Sequence, residues 1–214
     1  MTPDTGLFLV LEGPEGSGKT TQAGLLEDWL VARGLSVLRV REPGGTEAGE
    51  EIRRVLLHSG DLTPRAELLL MESARAVLVE ERIRPALARG QVVLADRFAL
   101  SSMAYQGIGR GLGLDEVRAL NAFATAGLEP DLTIVLLVPP AVGERRRTAR
   151  GASDRIERAG DDFHRRVAEA YELLARQEPG VALLDGRDPP AAVHAAILRL
   201  LHERFAETFP PGKG

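Results

Sequence analysis

The chain contains no cysteine, which excludes disulfide staples, thiolate metal ligands and a cysteine nucleophile, and makes a reducing compartment the natural setting. Lysine is almost as scarce: of 27 basic residues only Lys19 and Lys213 are lysine, and the rest are arginine. Aromatic residues make up 4% of the chain and the formal net charge is −4, so the chain as a whole offers neither nucleic acid nor a membrane surface an electrostatic reason to bind. Long apolar runs are missing too. The first one, Leu7 to Leu11, is too short for a signal peptide or a membrane span and has no basic flank, so a soluble cytoplasmic protein is expected. The four histidines, at 58, 164, 194 and 202, are scattered and suggest no chemical role. What remains is 214 residues with 44% hydrophobic content, enough for one domain with a sizeable core.

Five short Val- and Leu-rich runs alternate with longer segments of helical period. Residues 7–11, 36–40, 91–95, 132–138 and 181–184 read as strands, most without polar alternation, as suits a parallel sheet covered on both faces. Helical segments follow each run, with Gly34, Gly60, Gly90 and Gly127 where helices should end. The alternation predicts an α/β fold of three layers, α/β/α, around a five-stranded parallel sheet joined by right-handed crossovers. Residues 1–208 are expected to form a single domain and 209–214 a flexible tail.

The lone internal lysine sits in EGPEGSGKT, residues 12–20. Gly13, Gly18, Lys19 and Thr20 match G-x-x-x-x-G-K-[ST], directly after an apolar strand and at the start of a helix, which is the context this phosphate-binding motif requires. Glycines let the backbone N–H groups of Gly13, Pro14, Glu15, Gly16, Ser17, Gly18, Lys19, Thr20 and Thr21 fold round a phosphate chain, proline excepted, and the helix N-terminus adds favourable partial charge. Lys19 is a compact point charge for the β- and γ-phosphates of ATP, where a planar guanidinium fits poorly, and Thr20 offers an oxygen to Mg²⁺. Asp96, at the carboxyl edge of the third strand, is a candidate for the same Mg²⁺, although an aspartate there also serves as a helix cap.

A phosphate loop alone does not choose among kinases, switches and motors. The stretches REPGGT (41–46), DRF (96–98), SSMAYQGIGRG (101–111) and RGASDRIE (150–157), taken in order with the loop, closely resemble the thymidylate kinases. That resemblance implies a P-loop kinase fold, Mg·ATP as donor, dTMP as acceptor and a homodimer, with no nucleic-acid or membrane partner. It assigns Arg97 and Arg53 to the acceptor phosphate, where arginine forks bind bidentately, although Arg53 also reads as a helix-surface charge. It places Glu42 near the Mg²⁺ and phosphates, Arg75 on the thymine base, Tyr105 under the deoxyribose, Ser102 and Gln106 near the base edge, and Glu15 on the sugar 3′-hydroxyl. Two positions depart from the family pattern. Met71 stands where a phenylalanine often stacks on thymine, and Phe98 replaces a tyrosine or histidine after Asp-Arg.

The segment 144–158, ERRRTARGASDRIER, carries six arginines and three acids in an acidic chain. Such a segment suits a lid that stabilises charge on a phosphoryl group in transfer. By the family resemblance, a loop lacking arginine, as here at Gly16, implies a catalytic arginine in the lid: Arg150 first, Arg146 second, the latter also touching ATP. The same segment also reads as a solvated basic helix. The expected function is therefore phosphorylation of dTMP to dTDP. The alternatives are a kinase for another nucleoside monophosphate and, from a different class, a P-loop NTPase switch.

Overall fold

A computed structural model describes residues 6–148 and 154–210 of the chain. Its five strands, β1 (Leu7–Glu12), β2 (Val37–Arg41), β3 (Val92–Asp96), β4 (Leu132–Leu137) and β5 (Val181–Asp185), form one parallel sheet in the order β2-β3-β1-β4-β5. The apolar runs and the strands coincide to within a residue or two, because uninterrupted burial is what an inner parallel strand demands. Every residue of β1 is buried, and its Leu9 lies opposite Leu94 of β3 and Leu132 of β4.

The pleat sends alternate β1 side chains to opposite layers. Leu7, Leu9 and Leu11 pack with Leu26 and Leu30 of α1 (Lys19–Val31) and with Ile197 and Leu201 of the last helix. Phe8 and Val10 face the other way, towards Leu78, Val79 and Ile83. Between β2 and β3 lie α2 (Glu47–His58), α3 (Pro64–Leu78) and α4 (Arg84–Ala88). Thr46 caps α2 by accepting from the Gly49 N–H at 3.0 Å, and Thr63 precedes α3, whose first residue, Pro64, brings a φ already set for a helix.

Residues 64–90 read in sequence as one helix, and they are continuous, but a π-helical turn, Val79–Ile83, separates α3 from α4. Pro85 explains it: proline has no N–H to donate, and its ring strikes the carbonyl of the preceding turn unless the helix widens there. A second π-helical stretch, Met103–Gly109, continues α5 (Ala99–Ser102) and was not legible as a helix. Two glycines disguise it. Gly109 is there because a Cβ would come within 2.9 Å of the Phe163 ring. The remaining helices are α6 (Leu114–Thr125), α7 (Pro140–Thr148), α8 (Asp161–Gln177) and α9 (Pro190–Arg204).

Phe209 corrects the expected tail boundary. It is 1% exposed, sets its ring 5.5 Å from that of Trp29, and its carbonyl contacts His202 Nδ1 at 2.7 Å. An aromatic ring this large gains more from burial than the chain loses by ordering one more turn. No helix among the described residues is long and apolar enough to cross a membrane. Because β1 lies between β3 and β4, the loops after β1 and β3 emerge side by side at the carboxyl edge, the crevice where such sheets bind ligands.

Candidate functional site

The loop after β1 closes on its lysine. Lys19 Nζ donates to the carbonyls of Gly13 and Pro14, each at 2.9 Å, and approaches Ser17 Oγ at 3.5 Å. Burial, with Arg97 as second cause, lowers its pKa to about 8 despite nearby acids. Gly16 and Gly18 take φ of 74° and 99°. A Cβ on Gly16 would lie 2.8 Å from Gly143 Cα and closer still to the Gly143 carbonyl oxygen, so the backbone of α7 rests directly on this position. Arg146 fixes that contact by donating to the carbonyls of Gly16 (3.3 Å), Gly186 (2.9 Å) and Arg187 (3.3 Å).

Beside the loop, Thr20 Oγ1 donates to Asp96 Oδ2 at 2.7 Å. This pairing of a hydroxyl with a carboxylate fits a hard cation that takes most of its ligands from phosphates and water, as Mg²⁺ does. Among the described residues no group of three acids or histidines forms a self-sufficient metal cage.

Arg97 occupies the junction between β1 and β3. Its φ of 77° is in the left-handed region, which costs an L-residue about 1–2 kcal/mol. The surroundings over-determine it: its N–H donates to Leu11 O at 3.0 Å, and Nη1 donates to Gly13 O (3.1 Å), Ser101 Oγ (3.1 Å) and Tyr171 Oη (2.9 Å). Nη2 donates to Tyr105 Oη at 3.0 Å and pairs with Glu15. Burial alone would raise the pKa of Glu15, but the charges of Arg97 and then Lys19 bring it down to about 2. Behind Arg97, the fully buried Glu12 accepts from the N–H groups of Phe98 (2.8 Å) and Ser101 (3.0 Å), from Ser101 Oγ (2.7 Å) and from Tyr171 Oη (2.8 Å). Both hydroxyls thus give their protons to Glu12 and turn lone pairs to Arg97.

A pocket of about 260 Å³ opens between the loop, β2, α2, α3 and the α5 segment. It gathers most of the predicted residues: Glu15, Gly16, Gly18, Lys19 and Thr20 from the loop, with Asp96 and Arg97 beside them; Glu42 and Arg53; and Met71, Arg75, Ser102, Tyr105 and Gln106. Arg53 Nη1 donates to Pro43 O at 2.8 Å, and burial followed by the charge of Arg41 lowers its pKa. Arg75 is 1% exposed and every nitrogen of its guanidinium is engaged by protein. Nε and Nη2 fork onto Glu42 at 2.9 and 2.6 Å, and Nη1 reaches Glu72 (2.6 Å), Ser102 (3.0 Å) and Asn121 (2.5 Å). Nη2 also reaches Phe98 O at 3.1 Å. Burial pushes the pKa of Glu42 up to about 7, and the charge and hydrogen bonds of Arg75 oppose the rise.

Several members of the site were missed in the sequence. Glu12, Tyr171, Glu72 and Asn121 hold the arginines, and Arg41, Leu57, Ser101, Asp154, Ile156 and Glu157 line the pocket. Glu12 carried a signal: an acid ending a wholly apolar strand must find partners. Arg150, the first choice for the lid, lies outside the described residues, and so do Gly151 to Ser153. Just beyond them, Asp154, Ile156 and Glu157 line this pocket.

Comparison with known proteins agrees with this geometry. A family profile described as thymidylate kinase matches residues 11–197. The chain is 48% identical to a thymidylate kinase of Deinococcus radiodurans, covering 93% of this chain and 98% of that one. It is 47% identical to one of a Synechococcus strain (93% and 96% covered) and 48% identical to one of Pseudomonas fluorescens (92% and 95%).

Proposed function

The chain belongs to the thymidylate kinase family, and from that premise we propose that it transfers the γ-phosphoryl group of ATP to dTMP, yielding ADP and dTDP for dTTP synthesis. The observation that carries this reading is the position of Arg97, which bonds at once to the phosphate loop through Gly13 and to the acceptor pocket through Glu15 and Tyr105. One guanidinium there draws donor and acceptor phosphates into line.

The reaction needs little covalent help from the protein. An oxygen of the dTMP phosphate, already anionic, forms the new bond to the γ-phosphorus. The bond to the β–γ bridging oxygen breaks, and ADP leaves with the electron pair. Lys19 and the loop N–H groups hold the β- and γ-phosphates. Arg97 and Arg53 hold the acceptor phosphate, and Glu15 accepts from the sugar 3′-hydroxyl. Thr20 and Asp96 hold Mg²⁺, which neutralises phosphate charge when bound. Tyr105 lies against the deoxyribose, while Met71, Ser102, Gln106 and the Arg75 network form the base end. Arg150 supplies the lid cation, with Arg146 binding ATP from α7. Glu42 acts through its pairing with Arg75 at the edge of the phosphate site.

A cytoplasmic homodimer completes the proposal. Leu69 of α3 and Phe123 of α6, 54% and 86% exposed, support a packing face on these two adjoining helices. ADP formation should be followed with ATP alone and then with dTMP, dUMP, UMP, CMP, GMP or AMP. Acceleration greatest with dTMP is expected. No acceleration over ATP alone refutes the reading, and a larger effect from another monophosphate shifts it to a different acceptor.

A further inference from the structure

Glu67 lies in the first turn of α3, 0% exposed, and does not line the acceptor pocket. Nevertheless, two separate segments that build the pocket wall hang on it, the stretch from Gln106 to Arg110 and the one at Arg155. Its Oε1 accepts from Gln106 Nε2 at 2.7 Å and from Arg110 Nε at 3.2 Å, and its Oε2 accepts from Arg110 Nη2 at 3.0 Å and from Arg155 Nη1 at 2.7 Å. Arg155 in turn donates from Nε to Leu56 O at 2.9 Å and from its backbone N–H to Leu57 O at 3.1 Å. That pins the limb carrying Asp154, Ile156 and Glu157 against the end of α2. Arg110 stacks 4.3 Å from the centroid of the Phe163 ring, whose edge meets Tyr105.

From this arrangement we infer that Glu67 is a positioning residue for the nucleobase end of the acceptor pocket, setting where Gln106, Leu57 and Ile156 stand and hence which pyrimidine the pocket accepts. The claim rests on the dTMP kinase reading above. A carboxylate is suited to the task because two oxygens with four lone-pair directions can bind three cationic or amide donors, drawn here from two segments, at once. An amide there turns two of its hydrogens towards Arg110 or Arg155, so the wall must open. Because the donor loop shares no bond with Glu67, the effect should fall on the acceptor and not on ATP.

The test is steady-state kinetics of Glu67→Gln and Arg155→Gln with dTMP and dUMP as acceptors, alongside melting curves. Losing a charge-assisted hydrogen bond here should raise KM for dTMP about tenfold to a hundredfold. KM for ATP should stay within about twofold, kcat should change far less than KM, and the preference for dTMP over dUMP should narrow. A lower melting temperature with both KM values and the preference unchanged overturns the inference, as does an equal rise in KM for both substrates. Arg155→Gln leaves Gln106 and Arg110 on Glu67, so if Glu67→Gln does not fold, this variant decides by the same criteria. A wild-type enzyme that is inactive with dTMP instead refutes the proposed function itself.

Discussion

The contact between the phosphate loop and α7 makes Gly16→Ala the most informative single substitution. At φ 74° an alanine costs about 1–2 kcal/mol through its backbone alone. Its methyl would also collide with the Gly143 backbone, which lies 2.8 Å away at Cα and nearer at the carbonyl. Backbone cannot swing aside as a side-chain tip can, so α7 must shift, and overpacking of this kind costs about 1–3 kcal/mol more. Gly18→Ala is the internal control: its φ of 99° imposes comparable backbone strain, but its methyl meets nothing within 4 Å. At about 2–4 °C per kcal/mol for a chain of this size, Gly16→Ala should melt roughly 2–12 °C below Gly18→Ala. Differential scanning fluorimetry measures the gap. Kinetics should show a further split, since moving α7 carries Arg146 off the Gly16 carbonyl and raises KM for ATP. Equal melting temperatures for the two variants would refute the reasoning, because they would mean that α7 does not rest on the loop.

Arg75→Met should destabilise the fold by about 3–5 kcal/mol, since it strands Glu42 and Glu72 as buried, unpaired carboxylates; that is a fall in melting temperature of roughly 6–20 °C, and an unchanged value would deny the network its structural role. Raising the pH through about 8 should deprotonate Lys19 in the free enzyme. kcat/KM for ATP should then fall about tenfold per pH unit above that value, and a flat profile to pH 9.5 or so counts against Lys19 as the phosphate contact. The stability attributable to the same group moves oppositely: its folded pKa lies below the ordinary 10.5, so the folded state holds fewer protons than the unfolded between the two values and gains stability as pH rises there. Arg150→Ala should lower kcat by roughly 10³ while leaving dTMP affinity nearly intact in equilibrium binding, and an unaltered kcat moves the role to Arg146.

What could be read from the sequence divides along a physical line. Strands were legible because a buried parallel strand is written as a contiguous apolar run, and the phosphate loop because its chemistry lies within nine consecutive residues, 12–20. The helix over 99–109 was hidden, since π-helical spacing and close-packed glycines break the ordinary helical period. The holding network was hidden for another reason. Arg75 meets partners 33, 27 and 46 residues away, and Glu67 meets Arg155 across 88, separations that no local pattern encodes. Arg75 and Arg97 were singled out through family resemblance, but their tight engagement by Glu42, Glu72, Glu12 and Tyr171 emerges only from the packing. Phe98, a departure from the family pattern, turns out to be a buried core residue whose ring meets that of Phe8 in a T-shaped contact at 5.0 Å.

The scarcity of lysine has a practical consequence. Within the described residues Lys19 is the sole ε-amine, 6% exposed at the floor of the phosphate loop, and burial lowers its pKa to about 8. The amines of this chain are therefore three, the N-terminus, Lys19 and Lys213, and a reagent that is itself guided to the phosphate loop meets Lys19 alone there. A nucleotide carrying an electrophile at its terminal phosphate would mark the loop in one covalent event, and the extent of labelling would report the loop's occupancy without any engineered handle.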